Sequence, residues 1–456
     1  MSRLAPELLS PVSRAAARFA AKVAGKRVLL GYSGGVDSHV LLYELTRVAS
    51  MHRLTVIALH GNHQILPNSN LWEQHCRQVC NKIGVEFQSH RLSVDFDRAG
   101  GRENALREAR YAWFKSVMNS GDVLVTAHHL DDQVETVLFR LFRGSGARGL
   151  AGISPVRRWG NGELYRPFID LSRSDILEFA KSHHLEWVED ESNRDESFDR
   201  NFLRERLMPI LRSRWPGSSA AVARASRHLA ATEALLEQIG REDLERWHLT
   251  ADECQFTNFG KMRISDLLAV SPERAANLLR CWGRKAVHEA PGSSQLFELL
   301  RQLERLNGAM KARLVWKSVE FRRYRDCLYL LPAQADPMPH VTRYWVAEPS
   351  LDLPVVGVRL RSRRIVGQGI RTSGTNIPDI EVRWYNKKIG LRLVRGARTR
   401  TLRNLFQERG VPPWERWRLP VLCIDNAVAY VPGIGVAASF AARAGEVGIE
   451  FLLEER

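Results

Sequence analysis

Several shortages narrow this sequence before any motif is read. Only six cysteines are spread over 456 residues, at Cys76, Cys80, Cys254, Cys281, Cys327 and Cys423. Their spacing fits neither a disulfide framework nor a zinc site. This usage suits a reducing cytoplasm, the expected location, and makes Cys76 and Cys80, four apart on a helical pattern, core thiols on one helix face. No apolar run approaches the roughly 20 residues of a membrane span, so no membrane partner is expected. The stretch from Leu4 to Lys26 is rich in Ala and Arg but lacks the apolar core and cleavage pattern of a secretion signal, and reads as a leading helix. Internal repeats and low-complexity tracts are absent. Acids are also scarce. With 51 Asp and Glu against 67 Lys and Arg, the net charge of +16 calls for a polyanionic partner, nucleic acid first.

One further absence is informative about chemistry. The stretch Arg27 to Ser38, RVLLGYSGGVDS, reads as a buried strand entering a glycine turn that opens a helix. A kinase-type phosphate loop would carry four residues between its glycines and then Gly-Lys-Ser/Thr, and here there is no lysine. Gly34 and Gly35 permit a tight turn and close approach of backbone to ligand, and the open N–H groups of the helix start favour a phosphate. A helix terminus contributes only about 0.3–1 kcal/mol per anion, too little to hold a polyphosphate alone. Asp37, placed where it would repel phosphate oxygens, makes sense as a ligand of a magnesium ion that bridges protein and pyrophosphate. The plainer alternative is ordinary turn chemistry between a strand and a helix.

Strand and helix patterns alternate onward. LTVIALHGNH, VEFQSHRL and DVLVTAHH (Asp122 to His129) read as strands; NLWEQHCRQVCNKIG, ENALREARYAWFKSVM and DDQVETVLFRLFRG read as helices, two of them closed by Gly84 and Gly144. The fold class expected is α/β, with a Rossmann-like parallel sheet wrapped on both faces and ligands bound beyond the strand C-termini. Ser33 to Ser38, His60 to His63 and His128 to Asp132 all fall there and converge on one crevice. Pro216, Gly217 and two serines read as a linker, and Pro332 to His340 as another. The expected domains are therefore 1–216, catalytic; 217–331, mostly helical with a terminal strand pair, RLVWKSVEF and CLYLL; and 332–456, a small basic α/β domain. Between Arg359 and Arg418 sixteen Lys and Arg stand against four Asp and Glu, among Trp384, Tyr385, Trp414 and Trp417. This density suggests a phosphate-binding face, the alternative being a merely solvated surface.

SGGVDS resembles the signature of the ATP-pyrophosphatase (PP-loop) superfamily, whose members cleave ATP between the α and β phosphates. With GRENALREARYAWF, TAHHLDDQVETVLFRLFRGSG, YRPFIDLSR, EDESNRDESFDRNFLRERLMPIL and RTLRNLFQERGVPPWERWRLP in that order, the chain resembles the tRNA(Ile)-lysidine synthetase family over nearly its whole length. One departure is HGNHQILPNSN, where that family usually has an apolar residue after the first His and a Gly near Gln64. The resemblance implies ATP-dependent attachment of free L-lysine to carbon-2 of the wobble cytidine of tRNA(Ile) with a CAU anticodon, through an adenylated base. ATP is then cosubstrate, Mg2+ the metal, and tRNA and lysine the partners, with a homodimer also entertained.

In that chemistry Ser33, Gly34, Gly35, Val36, Asp37 and Ser38 grip the nucleotide, and Asp37 with Asp131 or Asp132 holds magnesium. Lysine arrives as an ammonium of pKa about 10.4, so a carboxylate must take its proton; Asp132 is the choice, Glu135 the next. DDQVE equally fits helix capping. Adjacent His128 and His129 on one strand would point to opposite faces, one inward and one to the site. Asn104, Arg107, Arg110, His129, Asn193, Arg200 and Arg204 are assigned to the ATP and lysine site by resemblance, since arginines at helical spacing alone describe a solvated face. Arg395, Arg398, Arg400, Arg403, Trp414, Arg416 and Arg418 are the expected tRNA contacts. Two other functions compete. A tRNA thiolation enzyme needs a reactive cysteine, and none lies between Cys80 and Cys254; a non-catalytic RNA-binding module would not need an intact SGGVDS and HHLDDQVET.

Overall fold

The computed structural model describes residues 10–64, 68–94, 102–188, 199–247, 259–288, 290–305, 312–333, 343–345, 350–353, 358–372, 379–385 and 389–455. The chain divides into two compact units, 1–235 and 236–456.

In the first unit α1 (Pro11–Lys22) starts where Ser10 Oγ accepts from the Ser13 amide at 3.0 Å, with proline at the first turn. Then follow β1 (Arg27–Gly31), α2 (Val36–His52), β2 (Thr55–Asn62), α3 (Ser69–Ile83), β3 (Glu86–Arg91), α4 (Arg102–Val117), β4 (Val123–Val125) and α5 (Leu130–Phe142). After α6 (Ala147–Leu150) a hairpin of β5 (Val156–Trp159) and β6 (Gly162–Tyr165) leads to α7 (Arg173–Ser182), α8 (Asp199–Phe202), one π-helical turn (Leu203–Leu207), α9 (Met208–Arg214) and the start of α10 (Ser218–Trp247).

The sheet order is β3-β2-β1-β4-β6-β5, parallel except for β5. Alternation along β1 explains its unbroken apolar run. Val28 and Leu30 face one core with Phe19, Val40, Leu41 and Phe179; Leu29 faces the other with Ile57, Leu59, Phe114 and Leu124. All three are fully buried, at roughly 1.5–3 kcal/mol each. Since β2 and β4 flank β1 on opposite sides, the connections reverse there, and this switch point opens a crevice above the C-terminal ends of β1 and β4.

Two expectations need correction, and one element was missed. The strand expected over Asp122 to His129 ends at Val125. The β5–β6 hairpin is not anticipated by the sequence pattern. The expected linker at Pro216 is a single turn, with the Ser218 amide donating to the Trp215 carbonyl at 2.9 Å, and the division between compact units falls inside α10 instead.

The second unit contains β7 (Lys261–Arg263), α11 (Ile264–Leu268), α12 (Pro272–Val287), α13 (Ser293–Arg305), β8 (Arg313–Trp316), β9 (Val319–Tyr324) and β10 (Cys327–Pro332), with the antiparallel order β7-β10-β9-β8. RLVWKSVEF is thus a hairpin, turning at Lys317 with φ of 50°. There follow β11 (Arg343–Trp345), β12 (Ser350–Leu353), β13 (Val358–Val366), β14 (Ile370–Arg371), β15 (Ile380–Trp384), β16 (Gly390–Leu391), β17 (Arg400–Thr401), α14 (Leu402–Glu408), α15 (Pro413–Arg416), β18 (Pro420–Ile424), β19 (Ala427–Val431), β20 (Gly435–Val436) and β21 (Val447–Glu455). Sheets β11-β15-β18-β19-β20 and β12-β13-β21-β14 share one core with Leu402, Leu405 and Phe406 of α14. Among the described residues no helix is long and apolar enough to cross a membrane.

Candidate active site

The turn between β1 and α2 is built by its serines. The Ser33 amide donates to Ser38 Oγ at 3.2 Å, Ser38 Oγ donates to the Gly35 carbonyl at 3.0 Å, and the two hydroxyls lie 3.1 Å apart. Gly34 has φ of +85°, and a Cβ there would meet Cys76 Sγ at 2.7 Å, so both conformation and space demand glycine. Gly35 differs. It caps α2 with φ of −72°, and the nearest atom to a built Cβ is Ser33 Oγ at 3.5 Å. The Gly34 carbonyl accepts from the Val188 amide at 3.1 Å, which ties the turn to the segment after α7. Val36, first in α2, is core. Burial pushes the Cys76 and Cys80 thiols up to about 12, so both are inert.

Asp37 and the start of α5 meet across this crevice. His129 Nε2 lies 3.7 Å from Asp37 Oδ2 and 3.5 Å from Asp132 Oδ2, so one imidazole separates the two carboxylates. Asp132 Oδ2 also accepts from the His129 amide at 2.9 Å, and Oδ1 lies 3.5 Å from Arg204. The two acids are driven apart. Burial raises the Asp37 pKa, with Asp132 adding to the rise, and His129, Arg173 and Arg204 offset only part of it. Burial alone would raise Asp132 too, but His129, His128, the His129 amide and Arg204 outweigh it and hold Asp132 below the usual carboxylate range. Asp132 is thus a fixed anion. Asp37 Oδ1 is buried with no hydrogen-bond partner, which suits a carboxylate awaiting a cation. Among the described residues no cluster of three or more His, Cys, Asp or Glu forms a cage. Magnesium commonly takes only one or two carboxylates and completes its shell with water and substrate phosphates, so Asp37 and Asp132 fit that ion.

Glu135 is buried and held by Arg204 through two hydrogen bonds, Nε to Oε1 at 2.7 Å and a terminal nitrogen to Oε2 at 2.8 Å. Burial lifts its pKa against that pairing, while Arg204 stays charged. Asp131 is taken by Arg212 at 2.5 Å and by the Arg173 amide at 3.3 Å, and so steadies the crevice wall. His128 hydrogen-bonds Thr126 at 2.9 Å and is pushed down to about 3, first by burial and then by Arg166, Arg107 and Arg110, with Asp132 opposing. Both imidazoles therefore sense Asp132. Opposite faces do not apply because the chain leaves the sheet at Val125. His60 lies under the glycine turn, Nδ1 donating to the Tyr32 carbonyl at 3.0 Å, and Asn62 is tied to Glu73 at 2.9 Å.

Beside these acids lies a cationic wall. Burial and the nearby guanidinium groups of Arg200 and Arg107 lower the Arg140 pKa, and burial pushes Arg166 down to about 10 with Arg157 and Arg107 adding to it. Arg140 donates to the Gly149 and Gly152 carbonyls, both at 2.9 Å, and Arg166 to the Ser154 carbonyl at 2.6 Å, so these two also brace α6 and the chain after it while their crowded charge suits an anionic ligand. Arg140 and Arg166 carry no signal of their own in the sequence, although RLFRG and YRPF contain them. Asn104 is exposed and donates to Glu108 at 2.9 Å. Asn193 lies outside the described residues.

The seven basic-face residues separate in the second unit. Arg395, Arg398, Arg400 and Arg403 are exposed, Arg400 pairing with Glu408. Trp414 packs edge-on against Tyr324 and Tyr329, at 6.0 and 5.3 Å between centroids, and Arg416 donates to the Val411 carbonyl at 3.0 Å. Arg418 lies over the Trp417 ring at 4.8 Å. On β13, Arg359, Arg361 and Arg363 pair with Asp352, Glu454 and Glu450, acids outside the basic stretch of sequence.

Known proteins resemble this chain over most of its length. A family model described as a PP-loop domain matches residues 8–211, a TilS substrate binding domain 262–329, and a TilS substrate C-terminal domain 380–453. A tRNA(Ile)-lysidine synthase of Alkalilimnicola ehrlichii is 38% identical over 417 residues, 91% of each chain. The chain belongs to the tRNA(Ile)-lysidine synthase family. Members of this family from Methylococcus capsulatus and Coxiella burnetii are 36% and 34% identical, covering 92% of this chain and 94% and 91% of their own. The resemblance read from SGGVDS and the later blocks holds, and the crevice between β1 and β4 lies within the residues that the PP-loop model matches.

Proposed function

We infer that this chain is the ATP-dependent ligase that makes lysidine, joining L-lysine to carbon-2 of the wobble cytidine of tRNA(Ile) with a CAU anticodon and releasing AMP and pyrophosphate. The product reads AUA in place of AUG and accepts isoleucine in place of methionine. The observation that carries it is the presence, in one chain, of a PP-loop domain and both substrate domains of this family. We propose that these act as catalytic, substrate-binding and C-terminal tRNA-binding segments. The likeness covers relatives over about nine-tenths of their length.

The cytidine 2-oxo oxygen attacks the α phosphorus of ATP, a P–O bond forms, and pyrophosphate leaves. The lysine ammonium gives one proton to Asp132, the freed amine attacks carbon-2, and AMP leaves with the oxygen as the second proton is released to solvent. The N–H groups at the start of α2 and the arginines beside α4 and α5 receive the phosphates. When bound, Mg2+ held by Asp37 and Asp132 supplies positive charge to the phosphate oxygens. Asp132, kept ionised by its neighbours, orients the lysine ammonium. Its lowered pKa makes that proton transfer uphill until the amine is captured at carbon-2, and Glu135, the next candidate, is paired with Arg204. The reaction belongs in the cytoplasm, where ATP, lysine and tRNA meet, and self-association as a homodimer is part of this reading, measurable by sedimentation.

Thiolation is disfavoured by the buried Cys76 and Cys80 thiols at the glycine turn. The test is incubation with ATP, CAU-anticodon tRNA transcript and radiolabelled lysine. Label in the RNA, dependent on ATP, is expected; unlabelled RNA with active tRNA and intact protein overturns the assignment.

A further inference from the structure

A strip of exposed aromatic rings and guanidinium groups runs outward from the active site along α5, and the chemistry above leaves its rings unused. Its register is fixed at both ends. Arg204 meets Asp132 and Glu135 at the start of α5, while Arg143 at the other end reaches Asp199 at 3.4 Å. The segment 199–204 therefore runs antiparallel along α5 and carries Phe202 beside the middle of that helix, where Arg200 is near enough to Arg140 to repel it. Phe139, Phe142 and Arg143 share one side of α5 by their spacing. Phe142 is 66% exposed and Phe202 50%. The Arg143 guanidinium lies 4.0 Å from the Phe139 ring centroid.

Single exposed apolar residues need no explanation, but two aromatics among arginines on a strip continuous with a crevice do. The charge there is wrong for an apolar protein core and right for a polyanion. The Arg143–Asp199 pair does not close the strip, since both side chains are about two-thirds exposed and such a pair is readily exchanged for a phosphate. The helical rise from Asp132 to Arg143 is about 16 Å, several times the roughly 3.4 Å step of a stacked strand. Flat rings interleaved with guanidinium groups are the means by which proteins hold unpaired bases, because every base has a π face.

We propose that Phe142 and Phe202, with Arg143 and Arg200 beside them, form a stacking platform for the single-stranded RNA that flanks the base entering the active site. This rests on the function inferred above, in which an RNA base reaches Asp132. The occupant is unpaired RNA, since the strip is continuous with the site where the base reacts and its charge complements the phosphates.

The test uses the full chain and a fluorescently labelled anticodon stem-loop, after lysine incorporation by the unmodified protein has been scored. Phe142→Ala, Phe202→Ala and the double variant should bind the stem-loop about 5- to 150-fold more weakly and raise KM for tRNA, with KM for ATP unchanged and melting unaltered. Phe142→Tyr and Phe202→Trp should retain binding, whereas leucine at either position should not. Unchanged affinity in the double variant overturns the platform, as does restoration by leucine. A change in oligomeric mass with RNA affinity intact would assign the strip to a second copy of the chain and also overturns it. If the unmodified protein labels no RNA, the assigned reaction fails, and stem-loop binding by the variants still decides the platform.

Discussion

Arg204 closes on Glu135 in a two-pronged ion pair between residues 69 positions apart, and the same guanidinium lies 3.5 Å from Asp132. Removing one partner strands a buried charge. Arg204→Ala should therefore lower stability by about 3–5 kcal/mol, while the double variant Glu135→Gln/Arg204→Gln should lose clearly less than the sum of its singles. Arg204→Lys restores the charge without the planar fork and should recover only part of the loss. Urea denaturation of these variants and the two glutamine singles gives the coupling; strictly additive losses would contradict the pairing.

The two glycines of the turn should respond differently. Gly34→Ala meets both a positive φ and Cys76 Sγ, so it should cost about 1–3 kcal/mol and abolish ATP binding. Gly35→Ala, in an ordinary conformation, should melt with the unmodified protein. Thermal melts and nucleotide titrations of both variants check this, and equal destabilisation would count against it.

Asp37→Asn should suppress tRNA-dependent pyrophosphate release, because it removes the carboxylate whose Oδ1 is buried without a partner. Asp132→Asn should keep nucleotide binding and lose lysine incorporation by at least about 100-fold, the usual scale of a positioned charge. Rates within a few-fold of the unmodified protein would remove either residue from the chemistry.

His39 hydrogen-bonds Tyr32 at 3.1 Å, and burial, with a contribution from His75, pushes its pKa down to about 4. Between that value and the unfolded pKa near 6.5, the unfolded chain binds the proton that the folded chain refuses. Stability must fall as pH drops through this window. His39→Gln should flatten the fall by about 1–3 kcal/mol, read from urea midpoints at pH 7 and pH 4.5. An identical pH profile would refute the assignment.

Arg395, Arg398 and Arg403 are exposed, whereas Arg359 and Arg363 are engaged by Asp352 and Glu450. Neutralising the first three should reduce the log–log salt slope of tRNA binding by about one for each phosphate they neutralise. Neutralising the second pair should leave the slope unchanged. Binding isotherms across a salt series distinguish the two sets.

The contrast between those arginines shows what a linear reading sees. Counting charges from Arg359 to Arg418 made the stretch look one-sided because Asp352, Glu450 and Glu454, which answer β13 across neighbouring strands, lie outside it. The α/β alternation and the meeting of Asp37 with Asp132 were legible, since buried strands, glycine turns and helix starts are written in local residue chemistry. β5 and β6 were not, because VRRW and GELY are short and polar, and a strand completing a sheet edge needs little apolar signal. Arg212 on Asp131 and Cys76 beneath Gly34 depend on residues far apart in the chain, with no local trace. The extension of strand four to His129 failed because periodicity does not say where the chain leaves the sheet.

The π-helical turn at Leu203–Leu207 sets the phase of everything around it. An α-helix advances by about 100° per residue, so deleting Leu203, which alone lies between Phe202 and Arg204, would swing Phe202 and Arg200 about a quarter-turn away from α5 while Arg204 kept its grip on Glu135. Length in this block is accordingly a tighter constraint than letters: a conservative exchange leaves the alignment of charge and ring intact, whereas the loss of one position would separate the outer strip from the crevice it extends.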